Sequence, residues 1–334
     1  MNIGILDQSS IIRGHTPAQA LRETIALAQH AERLGYARYW LAEHHSMAAL
    51  ADPCPEILVA RVAAETSRLR VGTGGVLLPY YSAFKVAEQF RMLEALYPGR
   101  IDLGIGRAPG GDRLTALAVA EGRSLDAESF PEQVRYLAAY LAGRLPNDHP
   151  LAEVRAMPTG GTMPQIWLLG SSDYSGALAA QLGLRFAFAH FINARGGDVV
   201  MRDYRARYQP STLEPAPQSL LCVFVICAAT DAEAQRLTAS INLRRLNMDY
   251  GINAPVPDHE EAAVYPYTAA DRARIAQHAR RIVAGTPDAV RTRLAALKAE
   301  AQADELMVIT ITGDYASRRR SYELVAEAFE LQMR

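Results

Sequence analysis

The sequence predicts an α/β chain wound as a single (β/α)8 TIM barrel, and two observations carry that expectation. Short β-type runs alternate with longer helical patterns almost from end to end, the rhythm of parallel βα units. No composition shift, repeat or low-complexity linker divides the series, so residues 1–334 are read as one domain, a length that such barrels reach.

Eight apolar runs qualify as strands: 3–7, 38–42, 69–74, 100–106, 165–169, 185–189, 220–228 and 305–311. The helix expected over 17–34 gathers Ala20, Leu21, Ile25, Leu27, Ala28, Ala31 and Leu34 on one face. Thr16 is placed to cap its start, and Gly35 to end it. Similar periods predict helices at 55–66, 83–96, 128–141, 175–182, 231–246 and 287–301, the last opened by an N-cap threonine and a proline, Thr286-Pro287. Two insertions rich in proline or glycine break the rhythm, at about 146–163 and 247–270. Long irregular segments in a compact domain are often functional lids, and 247–270 is assigned that part.

Charge narrows the function. With 35 basic against 36 acidic residues the net charge is −1, so no field exists to hold nucleic acid or an anionic membrane. The one dense basic cluster, Arg318-Arg319-Arg320, is read as a solvated helix face. Cys54, Cys222 and Cys227 are too scattered for a disulfide framework or a CxxC metal site. The opening MNIGILD lacks a signal-peptide pattern, and no apolar run is long enough to span a bilayer. A cytoplasmic enzyme is the expectation.

Four constellations close expected strands, where barrel enzymes keep their chemistry. Trp40-Leu41-Ala42-Glu43-His44-His45 puts three titratable groups in a row after an apolar strand, and these need partners if buried. Neighbouring strand residues face opposite ways, so His44 and His45 are poorly placed to share a metal, and no HExxH or Cys cluster appears. Gly104-Ile105-Gly106-Arg107-Ala108-Pro109-Gly110-Gly111 fits a dinucleotide fingerprint badly, because its third glycine is displaced and Pro109 interrupts. It suits the approach of a flat ring or phosphate to the backbone, with Arg107 supplying charge. Gly170-Ser171-Ser172-Asp173-Tyr174-Ser175 offers hydroxyls and N–H groups at a helix start, an anion site as well as an N-cap; the pairing with Arg107 favours the anion. The glycines of Val71-Gly72-Thr73-Gly74-Gly75-Val76 mark a bulge or the close approach of a ligand or another backbone.

Together these stretches resemble the luciferase-like flavin monooxygenases, most closely the bacterial alkanal-monooxygenase-like branch. The matching segments are 39–45, 71–79, Ala87-Glu-Gln-Phe90, 97–110 and 166–172, with Gly285-Thr-Pro287 and 304–307 extending the likeness toward the C-terminus. The resemblance implies a homodimeric barrel that binds FMN as FMNH2 and takes it from a separate flavin reductase. It implies His44 as the catalytic histidine, with Glu43 its neighbour in the flavin pocket. Arg107, Ser172 and Ser175 match the phosphate positions, joined in the cofactor-binding set by Gly170, Ser171, Gly74 and Gly75. Gly74-Gly75 matches the site of a non-proline cis peptide. Luciferase proper carries a reactive cysteine where this chain has Gly106, so light emission and a long-lived oxygen adduct are not carried over with the rest.

The resulting expectation is oxygen transfer from O2 to a small organic substrate such as an aldehyde, with His44, tuned by Glu43, donating or accepting a proton and no metal involved. Three other readings remain at this level: FMN- or F420-dependent hydride transfer, a non-catalytic flavin-binding protein, and a metal-dependent hydrolase, the last disfavoured by the missing ligand pattern.

Overall fold

The computed structural model describes residues 1–107, 110–122, 128–143 and 145–332. Ala108 and Pro109 of the glycine-rich stretch lie outside the described residues.

In chain order the elements are β1 (Ile3–Asp7), α1 (Pro17–Leu34), β2 (Arg38–Leu41), α2 (Pro55–Ala64), β3 (Arg70–Leu77), α3 (Ala83–Leu96), β4 (Ile101–Gly106), α4 (Arg113–Ala120), α5 (Phe130–Leu141), β5 (Gln165–Gly170) and α6 (Asp173–Leu182). There follow β6 (Arg185–Ala189), α7 (Gly197–Arg207), β7 (Ser219–Cys227), α8 (Asp231–Asp249), α9 (His259–Val264), α10 (Ala269–Ala279), β8 (Ile282–Gly285), α11 (Pro287–Ala301), β9 (Glu305–Ile309) and α12 (Tyr315–Ala328). Parallel pairing runs from β1 through β6 to β7 and β9, and β9 closes on β1 with Ile3 beside Leu306. The closed eight-strand ring is the expected (β/α)8 barrel.

All eight expected strands are present; β8 was not foreseen. It pairs only with the far half of β7, where Phe224 lies between Ile282 and Ile309, and so extends the wall beyond the end of β6. Strand alternation sorts the core into two layers. Ile5, Tyr39, Leu41, Leu103 and Val308 face the helices, whereas Leu6, Trp40, Trp167, Cys222 and Met307 fill the barrel. Toward the N-terminal ends of the strands, Arg38 pairs with Asp102 and with Glu305, and Trp40 Nε1 donates to Asp102 at 2.8 Å. This buried network plugs one end and leaves the other open.

Both insertions depart from expectation. Residues 146–163 are irregular but precede β5, and are tied to α3 by Arg91 Nε donating to the Pro158 carbonyl at 2.7 Å, so they sit away from the strand ends that carry the site. The stretch 247–270 holds the end of α8, all of α9 and the start of α10. It clasps the mouth: Asn253 bonds the backbone of Ser46 and Ala48, and Val256 pairs with Ile12. Arg318 also corrects the solvated-face reading of its cluster, because it is buried and ion-paired with Asp7 at 2.5 Å. Arg319 and Arg320 do face outward, to Glu23 and to Glu323 and Glu327. Among the described residues no helix is long and apolar enough to cross a membrane.

Candidate active site

At the open end of the barrel lies a cavity of about 680 Å³, within the range of small-molecule sites. Glu43, His44, Gly74, Gly75, Arg107, Gly170, Ser171, Ser172 and Ser175 all line it, although they come from the ends of four strands spread over 130 residues of sequence. Leu6, Trp40, Leu169, Ala187, Phe191 and Met307 supply apolar wall.

The loop leaving β2 sets the titratable groups. Glu43 is buried, and its Oε1 accepts from His45 Nε2 at 2.7 Å and from the Tyr81 hydroxyl at 2.6 Å, while Oε2 accepts from the Leu77 N–H at 2.8 Å. Burial pushes its pKa above the ordinary carboxylate value, against the downward pull of those three donors. None of these partners is His44, so the expected tuning of His44 by Glu43 is replaced by a grip on the end of β3. The His44 ring keeps a buried Nδ1 without a hydrogen-bond partner. Burial, reinforced by the positive charge of Arg244, lowers its pKa to about 4, so it stands neutral at pH 7.

The Gly74–Gly75 peptide is cis, and pairing between β3 and β4 shifts register between Thr73 and Val76. A β-carbon on Gly75 would stand 2.7 Å from the Gly104 carbonyl oxygen, so only glycine lets the two backbones approach here.

At the opposite wall β5 runs into α6. A β-carbon on Gly170 would lie 2.1 Å from that of Ser175, so the missing side chain is what lets the helix's first turn fold onto the strand end. Ser172 occupies the N-cap position in an extended conformation, yet its hydroxyl makes no capping bond. The plain N-cap reading therefore leaves that hydroxyl unused. The guanidinium of Arg107 stacks 4.2 Å above the Tyr174 ring, which holds its charge at this same helix start. Asn193 Nδ2 fixes the Ser171 carbonyl at 3.0 Å.

Several residues of the site escaped the sequence reading. Cys222 lines the same cavity as Gly106, and burial pushes its thiol well up. Asp52 is buried behind the loop, its carbonyl accepting from the His44 N–H at 3.2 Å. Among the described residues no group of three or more His, Cys, Asp or Glu could hold a metal.

The comparisons with known proteins bear on a site of this shape. A sequence profile of the luciferase-like monooxygenases matches residues 1–305. The chain belongs to that family. It is 35% identical over 330 residues to the N-acetyl-S-alkylcysteine monooxygenase of Bacillus subtilis, covering 98% of each protein. The crystal structure of apo-MsnO8 superposes with a TM-score of 0.93 at 41% identity, over 100% of this chain and 99% of that one. The oxygenating constituent of 3,6-diketocamphane monooxygenase from Pseudomonas putida, a type II Baeyer-Villiger monooxygenase solved with FMN, shares the fold. There the TM-score is 0.72 at 20% identity, over 98% of this chain and 97% of that chain. The chain thus keeps the barrel of its family.

Proposed function

We propose that this luciferase-like monooxygenase binds FMN in the cavity and, with the flavin reduced, transfers one oxygen atom of O2 to a small organic substrate. The observation that carries the reading is the convergence of Arg107 and the uncommitted Ser172 hydroxyl on the N-terminus of α6, facing the glycine wall at Gly74–Gly75. The residues fit the cofactor: a helix N-terminus with a guanidinium and two serines suits its phosphate, and side-chain-free backbone suits a flat ring. The FMN held by diketocamphane monooxygenase supports the choice of flavin.

Reduced FMN, when bound, supplies the two electrons that O2 activation needs, one oxygen atom going to the substrate and the other to water. The chain's own residues do the rest. Arg107, Ser172 and Ser175 anchor the phosphate and so fix where the ring lies. His44, neutral at physiological pH, takes up a proton at the reacting centre. Glu43 holds the Leu77 backbone and thereby the glycine wall. Leu6, Trp40, Leu169 and Met307 keep water out. A cytoplasmic homodimer fed by a separate flavin reductase completes the reading.

The test is a flavin titration followed by oxygen uptake with photoreduced FMN, across aldehydes, ketones and thioethers. FMN binding that falls at least tenfold in Arg107→Ala, with oxygen uptake coupled to formation of oxygenated product, supports the proposal. Tighter binding of F420 than of FMN, or flavin oxidation with no oxygenated product for any class, overturns it.

A further inference from the structure

Helix α8 buries a cation on the face that it packs against the barrel. Leu237, Ile241 and Arg244 are spaced i, i+4 and i+7, which puts them on one face. Leu237 and Ile241 pack in the same core cluster as the cavity-lining Leu6, Trp40, Ala42, Cys222 and Met307. Arg244 follows them on that face and is 8% exposed. Its Nε is buried without a partner, and among the described residues the side chain makes no ion pair.

The contrast with the other buried arginines is sharp. Arg38 meets Asp102 and Glu305, and Arg318 meets Asp7. Among the described residues Arg244 meets no carboxylate, although burying a cation without a counter-charge is costly. Its charge nevertheless reaches His44, whose ring lines the cavity. Three further buried polar atoms lack partners in the adjoining loops, His44 Nδ1 and Asp52 Oδ2 after β2 and Ser10 Oγ after β1. Those loops run side by side, with the Ile11 N–H donating to the Ala49 carbonyl at 2.8 Å. Arg107 stands with α6, whereas Arg244 belongs to α8.

We propose that Arg244 is the specificity residue for a substrate carrying a carboxylate, which it pairs with when the substrate's apolar part enters the cavity beside His44. The word substrate rests on the monooxygenase reading; the recognition of an apolar carboxylate does not. Binding would supply the counter-charge that the chain lacks, and an uncharged analogue would leave the guanidinium unpaired.

Octanoate and octanamide, alike in length and differing in charge, are the probes. The chain's two tryptophans, Trp40 on the cavity wall and Trp167 packed edge-on to it at 5.4 Å, report their binding by fluorescence. The titration is run with and without FMN. The native protein is expected to bind octanoate at least tenfold tighter than octanamide. Arg244→Gln removes that gap by weakening octanoate, with octanamide and FMN affinities held within twofold. Equal affinities in the native protein overturn the proposal, as does a gap that survives Arg244→Gln. A fall in FMN affinity on that substitution also overturns it, by assigning the cation to the flavin. Should Arg244→Gln fail to fold, Arg244→Lys carries the test, with octanoate weakened three- to tenfold and octanamide unchanged. A native protein that binds no FMN overturns the flavin reading and leaves the octanoate gap measurable.

Discussion

The Glu43 carboxylate accepts a hydrogen bond from the Leu77 backbone N–H at 2.8 Å, joining the loop after β2 to the strand that carries the cis Gly74–Gly75 bond. One side chain thus ties the histidine-bearing loop to the glycine wall. In Glu43→Gln the amide keeps one oxygen for His45 and Tyr81 but turns an NH2 toward the Leu77 N–H, leaving two donors face to face. The expected loss of stability is about 1–3 kcal/mol, with weaker FMN binding. Thermal melts and a flavin titration on the same samples check both effects, and unchanged flavin affinity would sink the positioning role.

His44 owes its low pKa of about 4 chiefly to burial, with Arg244 and His45 adding to it. Since the neutral ring is the form that accepts a proton, turnover should hold level from neutral pH down and fall on an acid limb near pH 4, not near the ordinary histidine value of about 6.5. His44→Gln should abolish turnover while FMN affinity stays within a few-fold. A pH profile of oxygen-transfer rate, limited to the range where the fold survives, reads the first claim. A variant that still turns over removes the second.

Asp52 behaves in the opposite sense. Burial, aided by the charges of Asp7, Glu56 and Glu43 and opposed by the Cys54 N–H, raises its pKa to about 7. Between the unfolded value of 3.8 and about 7 the folded chain holds a proton that the unfolded chain has released, so stability from this group declines as pH rises through that window. Asp52→Asn removes the decline. Its melting temperature relative to the native protein should climb from pH 5 to pH 8; a constant difference would show that Asp52 ionises normally.

Much of this was legible in the sequence, because strand alternation and helix period are local properties. The eight barrel strands follow from apolar runs, and the nine candidate residues follow from motifs that end those runs. What stayed hidden depends on contacts distant in sequence. The short β8 has four residues and borrows its stability from the far half of β7, so its own pattern is weak. Helices α4, α7, α9 and α10 were not foreseen: Leu114 and Leu117 of α4 point outward, and of α12 only the arginine-bearing face was read, as solvated. Nothing local marks Arg318, Asp52 or Arg244 as buried. Which arginine of the pair Arg244-Arg245 is the more buried, and which of Arg318, Arg319 and Arg320 turns inward, is decided by helical phase against partners elsewhere in the chain.

Arg318 offers the sharpest test of that hidden layer. It donates to Asp7 at 2.5 Å and to the Thr310 carbonyl at 2.9 Å, joining α12 to the ends of β1 and β9, and both charged groups are buried. Burial alone would raise the Asp7 pKa. The guanidinium charge, with hydrogen bonds from Tyr39, Arg318 itself and the Ser9 N–H, outweighs it and holds the value below the ordinary 3.8. The group's contribution is therefore fully present above pH 4 and is lost as pH falls through the folded value. Arg318→Met strands the carboxylate, and breaking a buried pair in this way costs about 3–5 kcal/mol. The deficit should be largest at neutral pH and shrink toward pH 4, because the stranded Asp7 of the variant takes up a proton over that range while the paired Asp7 of the native protein stays ionised. Denaturant unfolding at pH 7 and near pH 4 measures it, and a deficit independent of pH would mean that packing of the arginine stem, not its charge, is what α12 contributes.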